Sequence, residues 1–383
     1  MDTLINYANC SSVLNPGAKA LGQTIDPVDP TRVPVFAGGD LSLVSFNTIS
    51  GGATTAMGNV THTGGTANLD SLIAAGSFNG TDAFEDILGD ITLGGDIIDL
   101  GGPGSTVGGN LRSGGSVTLM SSINVAGHTT VTGNFTQPFT FAVNQGNVTA
   151  GGNVTIEGTV GGHVTHGGFV QVGTFGSVGS ASVGGSVAPP PITAMPLPAP
   201  HAIHSVGADI NLAAFQDIAL SPGNHGVLSF ASGNTVSLTS GRYVFDDIVS
   251  TFSLNELSFD TTAGPIEILI EGDFAFKDLV QVINGEALFT GGNPDPADAA
   301  DIYFEATGSV TVNEKLYGTV YAPQGDITTD TFADVTGALI ASGNVILGSS
   351  ADVTFVRSRV VPEPSGLAAA GLLGLALIRR RGA

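Results

Sequence analysis

Pairs of glycines recur along the first half of the chain, and each pair precedes one variable residue and then an apolar residue. The unit occurs at 38–41, 94–97, 108–111, 114–117, 151–154, 161–164 and 184–187, without one fixed period. Short alternating runs rich in Val and Thr lie between these glycines. Short strands joined by glycine corners predict a chain that coils into stacked parallel strands, a β-solenoid. In each coil we expect glycine to supply a corner with positive φ, the apolar residue to fill the interior, and Thr or Asn to stack on its equivalent one coil above.

A sandwich of antiparallel hairpins is the competing fold, because glycine turns serve it equally well. Asn-Gly pairs, the strongest short hairpin signal, are nearly confined to Asn79-Gly80 and Asn284-Gly285. Because these hairpin signals are scarce, we favour the parallel alternative: an all-β fold that forms a right-handed β-helix or β-solenoid in two segments. Segments 318–323 and 337–342 resemble each other nineteen residues apart, which suits three-sided coils of about twenty residues. The second half is similar to right-handed β-helix modules of bacterial surface and polymer-forming proteins.

Proline density divides the chain. Residues 188–200 hold six prolines and predict a semi-rigid connection between two parts. We expect a lead-in segment or cap at 1–35, a Gly-rich solenoid at 36–187, a Pro-rich linker at 188–205, a second solenoid at 206–356 and a tail at 357–383. The proline segment could equally be a long loop on one continuous solenoid, and the sequence leaves both arrangements open.

Composition restricts the partners. The chain of 383 residues has 11 Lys and Arg against 33 Asp and Glu, a formal net charge of −22. Nucleic acid is excluded as an expected partner, because a phosphate backbone requires clustered basic residues. The single cysteine, Cys10, excludes an internal disulfide. The pattern indicates an acidic, soluble surface protein.

The C-terminus carries a motif in three parts. The first part is an extended proline peptide, Pro362, Glu363 and Pro364. A thirteen-residue apolar run follows at 366–378. The third part is a basic cluster, Arg379, Arg380 and Arg381. As a helix the apolar run spans ~20 Å, short of the ~30 Å hydrocarbon core of a bilayer. Arginines beside such a run favour the cytoplasmic side, which leaves the body of the chain across the membrane. We therefore expect a short C-terminal apolar helix that anchors the chain temporarily.

This tail resembles the PEP-CTERM sorting signal. The resemblance implies an exosortase as a transient partner and a temporary inner-membrane anchor. It also implies delivery to the surface or extracellular matrix of a Gram-negative bacterium that makes exopolysaccharide, a possible second partner. Such a chain is expected to carry a secretory leader, but Met1–Ser12 has neither a basic start nor an apolar stretch of the usual length.

Adjacent aspartates raise the question of catalysis. Asp246-Asp247 resembles the paired aspartates of polygalacturonases, and Asn224-His225-Gly226 faintly resembles their histidine motif, but here the histidine comes first. Two neighbours on a strand face opposite sides and seldom flank one glycosidic bond. A turn after Phe245 explains the pair more simply, so we predict no catalytic residue.

Three groups have metal-binding side chains. His163 and His166, and likewise His201 and His204, lie three residues apart, which on a strand puts the members of each pair on opposite faces, so both pairs are read as exposed polar corners. The acidic loop with Asp295, Asp298 and Asp301 offers oxygen ligands for Ca²⁺ but lacks the ordered spacing of a calcium loop. We predict no metal site and no cofactor, with Ca²⁺ as the alternative.

These observations favour an exported, non-enzymatic β-solenoid that serves as a structural or adhesive component of an extracellular polysaccharide matrix. The alternatives are a β-helix polysaccharide hydrolase or lyase and a Ca²⁺-dependent binding module.

Overall fold

A computed structural model describes residues 30–360, except 82, 121, 194–195, 205, 251–253, 277–278, 289–293 and 314. The described chain is all-β and forms a parallel β-solenoid of about 16 turns. The predicted solenoid is confirmed. Cys10, the sorting motif and the apolar helix predicted for 366–378 lie outside the described residues.

Strands in the first half are short and numerous. They are β1 Val35–Ala37, β2 Leu41–Val44, β3 Asn47–Ala56, β4 Val60–Thr63, β5 Thr66–Ala74, β6 Phe78–Thr81, β7 Phe84–Ile87, β8 Ile91–Leu93, β9 Ile97–Leu100, β10 Thr106–Val107, β11 Leu111–Ser113, β12 Val117–Leu119, β13 Asn124–Val125, β14 Thr129–Val131, β15 Phe135–Gln137, β16 Val143–Asn144, β17 Val148–Ala150, β18 Val154–Ile156, β19 Thr159–His166, β20 Val170–Val172 and β21 Ser177–Val183.

The second half continues with somewhat longer strands. They are β22 Ile210–Asn211, β23 Asp217–Leu220, β24 Gly223–Asn224, β25 Val227–Phe230, β26 Thr235–Thr239, β27 Gly241–Phe245, β28 Asp247–Ser250, β29 Asn255–Asp260, β30 Ile266–Ile270, β31 Phe274–Ala275, β32 Leu279–Ile283, β33 Glu286–Ala287, β34 Ile302–Ala306, β35 Val310–Val312, β36 Lys315–Ala322, β37 Ile327–Thr329, β38 Asp334–Ala341, β39 Val345–Leu347 and β40 Asp352–Phe355. In the described residues, helix is limited to two 3₁₀ segments, η1 Pro30–Arg32 and η2 Pro296–Asp301, and neither could cross a membrane.

The strands stack into long sheets, of which the largest have 20 and 12 strands. The strand pairs are parallel except β32 with β33, so the hairpin sandwich is wrong as the overall fold. The two Asn-Gly signals have different outcomes. Asn284-Gly285 does join the antiparallel pair β32 and β33, whereas Asn79-Gly80 lies within β6, which pairs in parallel with β4.

The two halves form one stack, but not in chain order. The last coil of the second half pairs with the first coil of the first half: β38 lies beside β1, β39 beside β2 and β40 beside β3. One apolar core runs through both halves, from Val35 to Val353. The stack therefore begins at a lower end, the coil of β22, β23 and β24, and finishes at an upper end, the coil of β20 and β21.

The proline-rich residues 188–205 are here called the return segment, and its described residues lie along the outside of the stack. Near the upper end, Pro189 packs so closely on Gly114 that a Cβ on this glycine would lie 3.2 Å from the proline Cβ. Farther down, Leu197 and Ile203 pack against an apolar cluster on the outer side of the 20-stranded sheet. The cluster consists of Val33, Phe36, Val244, Leu269, Tyr303, Tyr321, Ala338 and Ile340. The segment connects the two ends of one stack.

The glycine pairs have a different physical role from the predicted one. Gly94 and Gly114 do not have positive φ. Instead, a Cβ added to Gly94 would lie 2.2 Å from the carbonyl oxygen of Ala75. A Cβ added to Gly114 would lie 2.1 Å from the carbonyl oxygen of Gly94. Glycine is required because the backbones of successive coils approach closely at the corner. The expectation of positive-φ corners at these units is therefore wrong.

Candidate binding face

The outer side of the 12-stranded sheet carries one outward side chain from each coil in a straight row, called here the threonine row. Its neighbours pair in register except Ile98 and Thr118, between which a bulge in β9 shifts the register. The members follow the stack as Ala275, Thr311, Thr328, Ile346, Ser42, Thr61, Asn79, Ile98, Thr118, Thr136, Thr155 and Gln171. The side chains on either side of each threonine point into the core, as the buried, half-buried, buried pattern of β12, β15 and β18 shows. None of the row residues is charged.

A ladder of hydrogen bonds runs beside this row, two residues earlier on each coil. Each side chain accepts the main-chain N–H of its equivalent in the next coil, at distances of 2.6–3.2 Å. In stack order the main ladder is Asp273, Ser309, Asp326, Asn344, Asp40, Asn59, Ser77, Asp96, Ser116, Asn134 and Asn153, which finally accepts from Phe169. Adjacent rungs are never both carboxylates, which avoids repulsion between like charges one coil apart.

The variable residue of the glycine unit is the rung of this ladder. Asp40, Asp96, Ser116 and Asn153 all stand in that position. A second, shorter ladder at another corner uses the side chains of Asp90, Asn110, His128 and Asn147 in the same way and ends at the His163 N–H. The sequence contained the signal, because the variable position is filled by side chains that can accept a hydrogen bond.

The ladder fixes the geometry of the row. Parallel strands lie about 4.8 Å apart, so twelve coils place one side chain of the row at about that interval over ~50 Å, and seven of the twelve, six Thr and Ser42, carry a hydroxyl group. Ser42 Oγ and Thr61 Oγ1 are 3.2 Å apart and bond to each other across two coils. Such an array can donate and accept hydrogen bonds repeatedly along a ligand that is itself regular.

A second polar cluster holds the return segment against the stack. Glu305 is fully buried, and its carboxylate accepts from the His201 main-chain N–H at 2.7 Å, from His201 Nδ1 at 2.6 Å and from the Tyr303 hydroxyl at 2.8 Å. Tyr321 donates to the carbonyl of Pro198 at 2.7 Å. We call this cluster the latch.

The electrostatics of the latch favour protonated phenols. Burial, followed by the negative charge of Glu305, raises the pKa of Tyr303 far above its ordinary value. The same two causes raise the pKa of the Tyr321 hydroxyl. Arg242 pairs with Glu267 at 2.6 Å, and this carboxylate lies 3.9 Å from His201 Nε2. The polar and charged groups of the latch thus bond to one another, an arrangement that holds the return segment against the stack.

A buried pair lies inside the first half. His62 and Glu85 are about 1% exposed, with Nδ1 and Oε1 3.2 Å apart. Glu85 also accepts from the Gly101 N–H at 2.9 Å, and its own N–H donates to Ser105 Oγ at 3.0 Å. These bonds tie β4, β7 and the loop between β9 and β10 together.

The aspartates considered for catalysis lie where the turn interpretation puts them. Asp246 lies between β27 and β28, and Asp247 begins β28. His225 stacks on Phe245 with ring centroids 5.2 Å apart, and its Nε2 lies 3.1 Å from the Ser221 carbonyl oxygen. The histidine thus has a packing role.

The two histidine pairs are only partly the exposed corners that we expected. His163 is half-buried and bonds Ser180 and Ser182, while His166 is buried and its Nδ1 bonds the Gly168 carbonyl. His201 belongs to the latch, and His204 is exposed. The interpretation as exposed corners is wrong for His166 and His201, because each is held inward by a hydrogen-bond acceptor.

The acidic loop is divided among separate structural bonds. Asp295 caps η2 through the Ala297 N–H at 2.9 Å, and Asp298 accepts from Thr261. Asp301 pairs with Arg359 at 2.7 Å. Among the described residues, no group of three or more His, Cys, Asp or Glu is arranged to hold a metal ion.

Comparison with known proteins gives two matches. Residues 214–358 match a family described as a domain of unknown function, DUF7305. None of the curated proteins matches this chain. The structure is similar to the crystal structure of an ice binding protein from an Antarctic bacterium of the Flavobacteriaceae, with 12% sequence identity and a TM-score of 0.25. The alignment covers 85% of this chain and 97% of that one.

Proposed function

We propose that this protein is an exported, non-enzymatic solenoid that adheres to polysaccharide of the extracellular matrix through its threonine row. The observation that carries the proposal is the row itself: twelve uncharged positions, one per coil, on a chain with a net charge of −22. A repeating polymer can meet such a row many times, and many weak contacts add up to strong retention.

Charge favours a neutral glycan over an anionic polymer. The carboxylates of the main ladder lie directly beside the row, and they would repel uronate or phosphate groups. The hydroxyl and methyl groups of Thr118, Thr136 and Thr155 match a surface that presents both hydroxyls and C–H groups, as sugar rings do. The partner proposed is therefore an insoluble, neutral polysaccharide.

Adsorption to glycans tests this function. We would incubate the full chain with insoluble neutral and acidic polysaccharides and measure both the retained protein and the release of reducing or unsaturated ends. In the variant Thr136→Glu with Thr155→Glu, two carboxylates enter the row, and retention on neutral glycans should fall at least ~10-fold, which corresponds to about 1.4 kcal/mol.

Ser237→Glu is the matched control, because Ser237 lies on β26 of another sheet, between Ala219 and Ser258 in the neighbouring coils. Equal loss in both variants would contradict a role for the row. Release of sugar ends by the wild-type chain would contradict a non-enzymatic function.

Export is the second part of the proposal and is supported by the resemblance of the tail. The Pro-Glu-Pro peptide and the three arginines would be read by an exosortase, with the apolar run as a temporary anchor. Deletion of 362–383 should leave the protein trapped before it reaches the surface. Unchanged display of the truncated chain on cells would contradict this route.

A further inference from the structure

The upper end of the stack leaves its core open. Val170 and Val172 on β20 pair with the buried Val154 and Ile156 one coil below, so they occupy interior positions. Val172 is nevertheless 41% exposed. On β21, Val183 also stands above a buried residue and is 78% exposed. Interior columns thus continue to the last described coil, and apolar side chains end there in solvent.

The lower end presents the complementary pattern. Ile210, Ile218 and Leu220 pair with the buried Leu228, Val236 and Leu238 of the next coil, and each is itself only half-buried. The strands at both ends run in the same direction, because every coil pairs in parallel with the next. A lower end placed on an upper end would bring apolar interior positions together without reversal of the strands, with β22 and β23 of the 3- and 5-stranded sheets facing the coil of β20 and β21.

The charge at the upper end does not oppose such contact. Residues 158–187 contain no Asp, Glu, Lys or Arg, although the chain as a whole is strongly acidic. Soluble proteins commonly protect an open strand edge with charged side chains, since exposed N–H and C=O groups otherwise recruit another chain. The lower coil, residues 206–224, carries only Asp209 and Asp217 as charged residues, so little repulsion is expected between the two ends.

The molecule already contains a junction of this kind. The coil of β1, β2 and β3 stacks on the coil of β38, β39 and β40, although about 300 residues of chain separate them. At this junction the main ladder continues unbroken, with the Asp40 N–H bonded to Asn344 Oδ1 at 2.8 Å. Coils of this protein therefore pack on each other without a direct chain connection.

The described part of the return segment runs beside the coils. It turns down the side of the stack from the upper coil, where the Val187 nitrogen lies 3.6 Å from the Cβ position of Gly151. Its described residues then follow the 20-stranded sheet to the latch. The described chain thus places its longest connection beside the coils.

From these observations we infer that the upper end binds the lower end of a second copy of this chain, so that the protein assembles head to tail. The two surfaces differ, so the contact is heterologous and does not close on itself, and it produces a linear filament. With about 16 coils at ~4.8 Å, each molecule would add ~75 Å to its length. This inference goes beyond the proposed function, because assembly needs no glycan.

The experiment follows assembly of the full chain by sedimentation velocity and by negative-stain electron microscopy. The wild-type protein should form unbranched rods whose length increases with concentration. In Val172→Lys with Val183→Lys, two charges stand at the upper end, where both side chains are already exposed, and the protein should remain monomeric with an unchanged melting temperature. Val44→Lys with Ile346→Lys is the matched control, because both residues are 38% exposed but lie on the side of the stack.

Mixing tests the polarity of the contact. The upper-end variant keeps its lower end, so a small amount added to wild-type protein should shorten the rods by occupying their upper ends. Rods of unchanged length would overturn the head-to-tail contact, as would a loss of assembly in the control variant.

A wild-type chain that stays monomeric would overturn the inference altogether. Hydrogen exchange would then identify the reason. Protected amides in β20 and β21 would indicate that residues which the structure does not describe, such as 1–29, cover the upper end. Fast exchange of the same amides would show that the upper end is open.

Discussion

The first half of the chain, residues 30–187, and the second, residues 206–360, use the same stacked coil with different side chains. Coils in the first half repeat every 16–20 residues, and side chains at the corners bond the next coil. In the second half, the rung from Asp273 to Ser309 spans 36 residues, because β32, β33 and η2 lie between them. The ladder thus bridges this insertion, because the Ser309 N–H still bonds Asp273 Oδ1 at 2.7 Å.

Aromatic packing stabilises the less regular half. The ring contacts in the described residues all involve residues 201–304, with Phe304 at the centre of three of them. The first half instead buries mainly Val, Leu, Ile and Ala. The comparison indicates that the second half adds large aromatic side chains to the polar bonds that both halves share, and each contribution can be tested by substitution.

The largest effect is expected from Phe304→Ala. Its ring centroid lies 4.8 Å from that of Phe276 and 6.0 Å from that of Phe259. Truncation of a buried Phe costs ~3–5 kcal/mol, and the lost ring pairs place this site toward the upper value. Phe135→Ala is the matched control, since Phe135 is equally buried in the first half. Urea unfolding should give the larger loss for Phe304; an equal loss would contradict the comparison.

Alkaline pH should weaken the latch, which joins the return segment to the second half. The raised pKa of Tyr303 means that the folded protein keeps its phenolic proton where the unfolded chain releases it. Stability from this group is complete below pH 10.0, the ordinary pKa, and is lost as the pH rises above it, by about 1.4 kcal/mol per pH unit.

The measurement compares urea midpoints at several pH values for the wild type and Tyr303→Phe. The variant loses a hydrogen bond to Glu305 at every pH, so only the slope above pH 10.0 is informative. A variant with the wild-type slope would show that the alkaline loss arises elsewhere.

The next largest loss of stability is expected from a substitution at a glycine corner, where the backbones of successive coils approach closely. Gly114→Ala brings a Cβ within 2.1 Å of a main-chain oxygen of the coil below, which the backbone must relieve by moving. Overpacking of this kind costs typically 1–3 kcal/mol. Gly185→Ala is the control, because its Cβ would meet nothing within 4 Å. Equal melting temperatures for the two variants would contradict the close-approach explanation.

The fold could be predicted from the sequence because its signals are local. A glycine pair, one polar residue and an apolar residue define one corner of one coil, and repetition of that unit indicates stacking. Strand alternation in 266–270 and the hairpin at Asn284-Gly285 are likewise short-range patterns. By contrast, the stacking of β38 on β1 joins residues about 300 positions apart, and no local pattern encodes it.

The candidate site could be predicted only in part. Stacking of Thr on Thr follows from the repeat, and Thr118, Thr136 and Thr155 do lie in register. The latch could not be found, because Glu305 reads as one polar residue in an apolar strand and its partner His201 lies 104 residues away. The sequence predicts glycine at the corners because of positive φ, whereas the structure shows close approach of neighbouring backbones. Either condition requires glycine, so the residue alone does not distinguish them.

The smallest effect tests whether the ladder stabilises the first half at all. Asn134 Oδ1 accepts the Asn153 N–H at 2.8 Å on the surface of the stack. In Asn134→Ala this N–H turns to water, and the free energy of unfolding should fall by about 1 kcal/mol. Asn134→Asp keeps an oxygen acceptor, as Asp40 and Asp96 do at the same corner, and should restore most of the loss. Asn79→Ala removes an exposed side chain from the neighbouring row and should change stability by less than ~0.5 kcal/mol.

Hydrogen exchange at the Asn153 amide gives the direct readout: it should accelerate in Asn134→Ala and recover in Asn134→Asp. If the amide exchanges equally in all three proteins, coil spacing in the first half is maintained by the buried Val and Leu columns, and the two halves are held together in the same way.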